Sequence, residues 1–291
     1  MATSFMSMAA FWLISENSRD SCSAGSVQMK ISLQLFTVRR YARKNLYDTL
    51  RKICQVGYSS IEAARIGFDT KSAVAINRAR QDFGLSVPSS QIKFAQLGND
   101  FTQTLNFLQA VECSNAVISL LPPHYILSGE HGLKRFAADM NTLAERYRRE
   151  GIRLAFHHHD FEFLKFGSQR GLDILLENTD PALVFFVSDT YWAQRGGICP
   201  AALIRRLGKR VISIHLRDYT LLPPFFAARP GDCIIGSGML DIKEILTACT
   251  ESGIEFISIE QDSKNPFCDI VSSLDYVKSL AGMVEWRADM D

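Results

Sequence analysis

Short β-rich runs alternate with longer segments of helical periodicity along most of this chain, and this alternation limits the possible folds more than any other feature. The candidate strands are Ile31–Phe36, Ser59–Glu62, Ser86–Ser90, Ala116–Leu120, Arg153–Phe156, Leu183–Val187, Val211–His215 and Phe256–Ile259. The candidate helices are Leu46–Gln55, Lys71–Asp82, Phe101–Cys113, Leu133–Arg149, Gly171–Glu177, Pro200–Leu207, Ile242–Glu251 and Pro266–Leu280. Such a pattern predicts parallel strands joined by crossover helices.

Eight strand–helix units fill about 250 residues, which is the usual size of a closed (β/α)8 barrel, also called a TIM barrel. The alternative is a doubly wound open sheet, but no glycine-rich G-x-G-x-x-G turn follows the first strand. Glycine precedes several strands, at Gly57, Gly84, Gly151 and Gly253, as expected for helix C-caps. We therefore predict an α/β protein with a single (β/α)8 barrel over residues 29–285.

The first 28 residues differ from the rest of the chain. A mildly apolar stretch up to Ile14 is followed by a polar one, and no positive charge precedes Arg19. This order argues against a secretory signal, and the apolar run is too short to span a bilayer. We expect residues 1–28 to form a disordered or loosely attached extension, with a weak targeting segment or a small packing element as the alternatives. Ordered structure should begin near Met29.

Charge and cysteine content exclude several classes of protein. The 32 Lys and Arg residues nearly cancel the 31 Asp and Glu residues, so no overall basic field indicates nucleic acid or an anionic membrane as a partner. The seven cysteines contain no C-x-x-C pair, and their odd number fits reduced thiols better than a disulfide framework. We expect a cytoplasmic protein that binds neither nucleic acid nor membrane. The sequence leaves open whether it forms a homo-oligomer.

Four late strands lead directly into potential metal ligands, namely His157, Asp189, His215 and Glu260. The carboxyl ends of barrel strands carry the active site in enzymes of this fold, so these side chains should lie together. Two imidazoles and two carboxylates suit Mn, Co, Zn or Fe better than Ca, and Mg stays among the candidates. A single buried His or Asp is commonly a hydrogen-bonded core residue. Four at consecutive strand ends predict one bound divalent metal ion.

Side-chain alternation gives an independent indication of where these groups point. Ser213 and His215 share one face of their strand, while Ile212 and Ile214 share the other. The strands before the first imidazole and the last carboxylate alternate in the same way. The branched apolar face suits packing against helices, so the other face should point into the barrel. The strand before Asp189 is apolar on both faces, and its pattern does not orient that residue.

The motifs around these residues resemble those of a known family. They are Gln34–Arg39, Phe156–Phe163, Asp189–Trp192, Gly196–Gly197, His215–Asp218 and Glu260–Asp262. In this order, from about Met29 to Leu280, they resemble the sugar phosphate isomerase/epimerase group of the xylose isomerase-like barrel superfamily. That superfamily also contains inosose dehydratases and ketose 3-epimerases. The resemblance implies the (β/α)8 fold and a metal ion bound at the strand ends.

Three positions depart from the pattern of particular branches. Ketose 3-epimerases carry an acid/base Glu where this chain has His157, and they tend to have a His where Trp192 stands, so their carboxylate pair is not intact here. His157 resembles the branch with a Tyr-His-x-His motif, which includes dehydratases of keto-inositols. That branch often has a His near the end of the third strand, where this chain has Gln91. The additional metal ligands of the superfamily's DNA-repair endonucleases are not found, which argues against a nuclease.

The candidate residues predict proton abstraction beside a carbonyl group, and the resemblance implies a small polyhydroxylated substrate, namely a sugar, a keto-sugar or a keto-inositol. A divalent metal acidifies such a C–H bond by stabilising the enediolate. Glu260 is the first candidate for the base, and His157 and His159 are the alternatives. Loss of a β-hydroxyl would make the enzyme a dehydratase, and reprotonation would make it an isomerase or epimerase. The alternative function is a catalytically silent, metal-containing barrel that binds a sugar or a protein partner.

Five more side chains are candidates for substrate contacts: Arg217, Trp192, Phe36, Glu62 and Gln91. Arg217 follows a predicted ligand by two positions, and its guanidinium would bind hydroxyls or a carboxylate unless it forms a salt bridge to Asp218 or another neighbour. Phe36 and Trp192 would form an apolar wall against a sugar ring, with core packing as the alternative. Glu62 ends the second strand, where a salt bridge at the barrel rim is equally plausible.

Polar groups just beyond the strand ends are candidates for supporting roles. His159 shares the alternation face of the first imidazole and would contact the substrate or support the metal ligands, unless it is a plain loop histidine. Glu162 and Asp262 would orient ligand imidazoles, unless they are ordinary exposed charges, which are common near strand ends. Gly236-Ser237-Gly238 is expected to be a structural turn, because it lacks the Lys-Ser/Thr of a phosphate-binding loop.

Overall fold

The computed structural model describes residues 30–280, in which eight parallel strands close into a barrel. The strands are β1 Lys30–Gln34, β2 Ser60–Ala64, β3 Ser86–Ile92, β4 Asn115–Ile118, β5 Arg153–His157, β6 Val184–Asp189, β7 Val211–Leu216 and β8 Phe256–Ile259. Neighbours in the barrel are neighbours in this numbering, and β8 pairs with β1 to close the ring. The predicted (β/α)8 fold is confirmed.

Eight longer helices surround the barrel. They are α1 Leu46–Val56, α2 Thr70–Phe83, α3 Phe101–Ala110, α4 Gly129–Arg149, α5 Gly171–Asn178, α6 Pro200–Leu207, α7 Ile242–Glu251 and α8 Pro266–Leu280. Shorter helices follow four strands, at Arg39–Ala42, Phe94–Asn99, Pro123–Ile126 and Thr190–Arg195. Single 3-10 turns lie at Phe161–Phe163, Gly208–Arg210 and Phe225–Ala227. No helix within the described range is both long and apolar enough to cross a membrane.

Local sequence signals explain where most of these helices begin and end. The side chain of Asn45 accepts the backbone N–H of Asp48 at the start of α1, and Asp69 caps α2 in the same manner. Both helices end at a glycine with left-handed φ, 104° at Gly57 and 69° at Gly84, as predicted. Helix α4 begins at Gly129, four residues before its predicted start at Leu133. The prediction placed the start too late because the first turn contains glycines, which are poor helix formers.

Aromatic packing fixes the two strands that carry the first candidate ligands. Phe136 of α4 meets Phe156 of β5 edge-to-face, with ring centroids 5.4 Å apart. Phe156 in turn contacts Phe186 of β6 at 6.3 Å, and all three side chains are fully buried. Phe156 precedes His157 by one residue, and Phe186 precedes Asp189 by three. The outer core therefore holds the ends of β5 and β6 in fixed positions.

Ile212 differs from its predicted orientation. It belongs to a small cluster with Ala155 and Val187 that is separate from the main core. Ala155 and Val187 lie two residues before His157 and Asp189, so this cluster fills the inside of the barrel. The pairing of β6 with β7 shifts register at this point, and the irregularity breaks the simple alternation. The prediction that Ile212 faces the helices was therefore wrong.

Two hairpins that the sequence analysis did not predict extend from the carboxyl ends of strands. Lys165–Phe166 pairs with Gln169–Arg170 after β5, and Asp218–Leu222 pairs with Arg229–Cys233 after β7. Asp218 accepts the backbone N–H groups of Gly236 and Gly238, both at 2.9 Å, and so closes the base of the longer hairpin. The Gly-Ser-Gly segment is therefore a structural turn, as predicted.

The predicted N-terminal extension, residues 1–28, lies outside the described residues, as do the last five residues of the predicted barrel domain. The first strand begins at Lys30, next to the predicted start at Met29. We propose that residues 1–28 add little to the stability of the barrel. A chain that starts at Met29 is expected to melt within a few degrees of the full chain in scanning calorimetry. Failure of the shortened chain to fold cooperatively would contradict this proposal.

Candidate active site

Three predicted metal ligands meet at the carboxyl end of the barrel. His157 ends β5, Asp189 ends β6 and His215 lies in β7. One nitrogen of each imidazole and one carboxylate oxygen lie within 4.8 Å of one another. The Oδ2 atom of Asp189 is 3.3 Å from Nε2 of His157 and 3.7 Å from Nδ1 of His215. The side chains are buried, so their mutual geometry is fixed by the strands.

Glu260, the fourth predicted ligand, adjoins this group directly after β8. Its Oε2 atom is 3.1 Å from Nδ1 of His215. Its Oε1 atom accepts a hydrogen bond of 3.2 Å from Nη1 of Arg217, and the same Nη1 lies 3.6 Å from the carboxylate of Asp189. The structure thus brings all four predicted ligands together, with a guanidinium between the two carboxylates.

A buried carboxylate holds the other nitrogen of His215. Glu62 is fully buried, and its Oε1 atom is 2.9 Å from Nε2 of His215. Ser89 and Gln34 donate hydrogen bonds to Glu62 from neighbouring strands, at 2.6 Å and 3.2 Å. The prediction that Glu62 contacts substrate is not matched by its position, because Glu62 lies beneath the cavity and not on its wall. Its bond to Nε2 leaves Nδ1 of His215 directed at the other candidate ligands.

The residues present fit a divalent metal ion. Nδ1 of His215 is buried and makes no hydrogen bond of good geometry within residues 30–280, although two carboxylates lie near it. A buried ring nitrogen without a partner is costly, and a metal ion would satisfy it. The combination of imidazole and carboxylate donors is typical of sites for Mn, Fe, Co and Zn.

Charges in this cluster depend on one another. Burial opposes ionisation of Asp189, but the positive charge of Arg217 and the neighbouring imidazoles outweigh burial and hold the carboxyl pKa well below its usual value. Burial likewise opposes protonation of His215, but Glu62, Asp189 and Glu260 raise its pKa well above the usual value. Without a metal, the imidazole of His215 is therefore protonated, and a metal ion would have to displace that proton.

Sequence and structure comparisons assign the chain to a family. Residues 50–280 match the model of the xylose isomerase-like TIM barrel family. The chain belongs to this family. Inosose dehydratase from Clostridium beijerinckii is 24% identical over 169 residues, which cover 53% of this chain and 56% of that enzyme. The chain therefore spans about half the length of the curated relatives that it matches.

Solved structures of the xylose isomerase-like family match the fold over most of the chain. A sugar phosphate isomerase/epimerase from Parabacteroides distasonis superimposes with a TM-score of 0.73 at 19% identity, covering 88% of this chain and 98% of that chain. A family member from Mycobacterium smegmatis, solved in complex with magnesium, gives a TM-score of 0.64 at 12% identity and covers 87% and 96% of the two chains. At these identities the comparison shows the fold alone.

A cavity of about 710 Å³ opens above the candidate ligands of this xylose isomerase-like barrel. Of the predicted substrate contacts, Phe36, Gln91, Trp192 and Arg217 lie on its wall. The guanidinium of Arg217 stands 5.6 Å from the Trp192 ring centre, and its Nη2 atom donates a hydrogen bond to Asp232. The sequence analysis missed Asp232, because it comes from the hairpin after β7, which folds back over the barrel mouth.

The three residues predicted to support the metal ligands, His159, Glu162 and Asp262, lie in different parts of the structure. His159 lies on the cavity wall beside Trp192, with ring centroids 5.0 Å apart, and burial lowers its pKa to about 2, so its imidazole is neutral. Glu162 accepts the backbone N–H of His159 at 2.7 Å and touches no ligand imidazole. Asp262 pairs with Arg39 at 2.9 Å. The prediction that Glu162 and Asp262 orient imidazoles was therefore wrong, because each carboxylate is engaged elsewhere.

Proposed function

We propose that this protein is a divalent-metal-dependent isomerase, epimerase or dehydratase that acts on a sugar, keto-sugar or keto-inositol. The observation that carries the proposal is the convergence of His157, Asp189, His215 and Glu260 beneath a cavity large enough for such a substrate. The names of relatives point the same way, since they include inosose dehydratases and a sugar phosphate isomerase/epimerase.

The four convergent side chains are the proposed metal ligands. A divalent ion, when bound, supplies Lewis acidity that polarises a substrate carbonyl and acidifies the neighbouring C–H bond. Mn, Co, Zn, Fe and Mg are the candidates, and the magnesium complex of the M. smegmatis relative supports a divalent ion. In the metal-bound form Glu62 would accept the N–H of Nε2, so that Nδ1 is the nitrogen of His215 that gives up its proton when the ion binds, and this fixes the tautomer.

Glu260 is the proposed base. Burial opposes its ionisation, but Arg217 and His215 outweigh burial and lower its pKa below the usual value, so the carboxylate is charged at neutral pH. It also lies on the cavity wall, within reach of a bound substrate. His157 is an alternative base, and the neutral imidazole of His159 would act as a hydrogen-bond partner for a substrate hydroxyl.

Aromatic and polar side chains on the wall are the proposed substrate contacts. Trp192 and Phe36 offer flat apolar surfaces to the carbon face of a sugar or cyclitol ring. Gln91 donates or accepts hydrogen bonds, and its Oε1 atom is fixed by Gln34 at 3.1 Å. Arg217 is held by carboxylates on both sides, so its guanidinium would meet substrate oxygens in a preset orientation.

Metal analysis combined with a hydrogen-exchange screen tests this function. The purified protein should contain about one divalent ion per chain, and solvent deuterium should enter the carbon beside the carbonyl of at least one keto-sugar or keto-inositol. Simultaneous loss of a hydroxyl would identify a dehydratase, whereas exchange with retention of all hydroxyls would identify an isomerase or epimerase. Stoichiometric metal without exchange on any member of the panel would favour a catalytically silent barrel that binds a sugar or a protein partner.

Changing Glu62 to glutamine should weaken metal binding by about 10–100-fold, as is typical when the hydrogen-bond partner of a ligand imidazole is altered. The glutamine oxygen still accepts the N–H of His215, but it no longer carries the charge that makes the imidazole a stronger donor. Competition with a metal chelator measures the affinity. Glu130→Gln on the surface of α4 is the matched control and should bind metal normally. An unchanged affinity in Glu62→Gln would remove this carboxylate from the metal site.

A further inference from the structure

Two cations on the cavity wall take no part in the site described so far. Arg65 follows β2 and Lys93 follows β3, and both side chains line the cavity. The two strands are neighbours, with Ala64 paired to Gln91, so the two cations leave the barrel at adjacent positions on its rim. They form one positively charged edge of the cavity.

No counter-charge for this positive edge lies within residues 30–280. Neither Arg65 nor Lys93 forms an ion pair with any residue in the part of the chain that the structure describes. The carboxylates on the cavity wall are already engaged by other cations. Asp232 and Glu260 bind Arg217, and Asp262 binds Arg39. Two positive charges therefore remain for whatever enters the cavity.

The backbone at Arg65 points to a functional constraint. Its φ angle is 57°, in the left-handed region that residues with a side chain occupy at a cost. The residue is exposed, so no buried contact of its side chain explains this conformation. The guanidinium of Arg65 lies 5.5 Å from the ring centre of Phe36, which also lines the cavity. Such strain is common at ligand-binding positions.

The order of strands places this edge opposite the candidate metal ligands. Around the closed ring of eight strands, β2 is diametrically opposite β6, which ends in Asp189, and β3 is opposite β7, which carries His215. A ligand that touches both groups must cross the mouth of the barrel. The cavity of about 710 Å³ offers more room than a bare six-carbon sugar needs.

We propose that the substrate carries an anionic group, a carboxylate or a phosphate, which binds Arg65 and Lys93 while the carbonyl end faces the metal ligands. The orientation of the carbonyl rests on the proposed function, whereas the charge preference rests on the two cations alone. Arg and Lys together supply donors and charge that suit the oxygens of either anion. Phe36 would support the adjoining carbon chain.

Calorimetric titration of the metal-loaded protein with matched sugars tests the proposal. The probes are fructose, which is neutral, fructose 6-phosphate and 5-keto-gluconate, with inorganic phosphate as a minimal anion. At low ionic strength, at least one anionic sugar should bind about tenfold more tightly than fructose, as expected for charge-assisted hydrogen bonds at a partly exposed site. The difference should shrink as salt screens the charges.

Two double variants separate a site from general electrostatic attraction. Arg65→Gln with Lys93→Gln should abolish the preference for the anionic probe and leave the affinity for fructose unchanged. Lys243→Gln with Lys278→Gln removes the same charge from the exposed faces of α7 and α8 and should keep the preference. Calorimetric melting of both double variants confirms that each is folded.

Three outcomes overturn the proposal: no anionic probe binds more tightly than its neutral counterpart, the preference survives in Arg65→Gln with Lys93→Gln, or both double variants lose it equally. None of these outcomes depends on turnover. A protein that prefers anions but catalyses no exchange would refute the proposed function and leave this inference intact. A protein that catalyses exchange but does not prefer anions would refute this inference and leave the proposed function intact.

Discussion

Replacing Glu260 with glutamine is expected to lower turnover by about 10²–10⁴-fold while most of the metal stays bound, the loss typical of a missing general acid or base. Glutamine keeps the shape of the side chain and one oxygen that can face the metal. It cannot accept a proton from carbon. That oxygen takes the place of Oε2 at the metal site, so the hydrogen bond that Oε1 accepts from Arg217, 3.2 Å long in the native protein, is lost.

The measurement compares deuterium exchange with metal content for the same preparation. Glu255→Gln is the matched control, because Glu255 precedes the same strand at the opposite end of the barrel and pairs there with Arg153. If metal and activity fall in parallel, Glu260 is a ligand only and the base moves to His157. Near-normal exchange in Glu260→Gln would remove Glu260 from the mechanism.

Asp189→Asn should abolish stoichiometric metal binding and, with it, activity. One carboxylate oxygen of Asp189 caps the helix Thr190–Arg195 by accepting the N–H of Trp192 at 2.9 Å, and asparagine caps helices equally well. With its oxygen in that cap, the asparagine turns its NH2 group towards His157 and His215. A hydrogen-bond donor then replaces the anionic ligand. The loss of metal affinity should therefore exceed the roughly 10–100-fold effect that is typical when a hydrogen-bond partner of a metal ligand is altered.

Chelator competition and metal analysis measure this loss, and thermal melting of the metal-free forms shows whether the fold is kept. Asp173→Asn on α5, where the native carboxylate pairs with Arg206 on the surface, is the control that should bind metal normally. Metal binding should also release protons, since His215 is protonated in the metal-free protein, and affinity should therefore rise with pH. Unchanged metal affinity in Asp189→Asn would exclude this carboxylate as a ligand.

The barrel was predictable because its signals are local. Each strand and helix carries its own periodicity, and caps such as Asn45 and Gly57 mark the boundaries within a few residues. The elements that were missed break these local rules. The hairpin between Asp218 and Cys233 contains three prolines, and within residues 30–280 its strands pair only with each other, so its segment resembled an irregular loop. The register shift at Ile212 depends on the neighbouring strand and leaves no mark in the sequence of β7.

Local pattern also placed the candidate ligands. A strand end fixes where a side chain sits along the barrel axis, and the carboxyl ends of all eight strands meet at one rim, so His157, Asp189, His215 and Glu260 were predicted to converge without any knowledge of distances. Phe36, Gln91, Trp192 and Arg217 were also predicted to contact the substrate, Gln91 through the resemblance, and all four lie on the cavity wall.

Only the tertiary structure decided which groups pair with which. Glu62 and His215 are 153 positions apart, and their 2.9 Å contact exists because β2 and β7, three strands apart around the closed ring, both send side chains into the barrel interior. Within residues 30–280, the same closure leaves Arg65 without a counter-charge while giving Arg217 three carboxylates. A sequence fixes the position of each charge along its strand, because alternation and strand ends are local properties. The partner of each charge depends on how the ring of strands closes, because ionic contacts act through space and not along the chain.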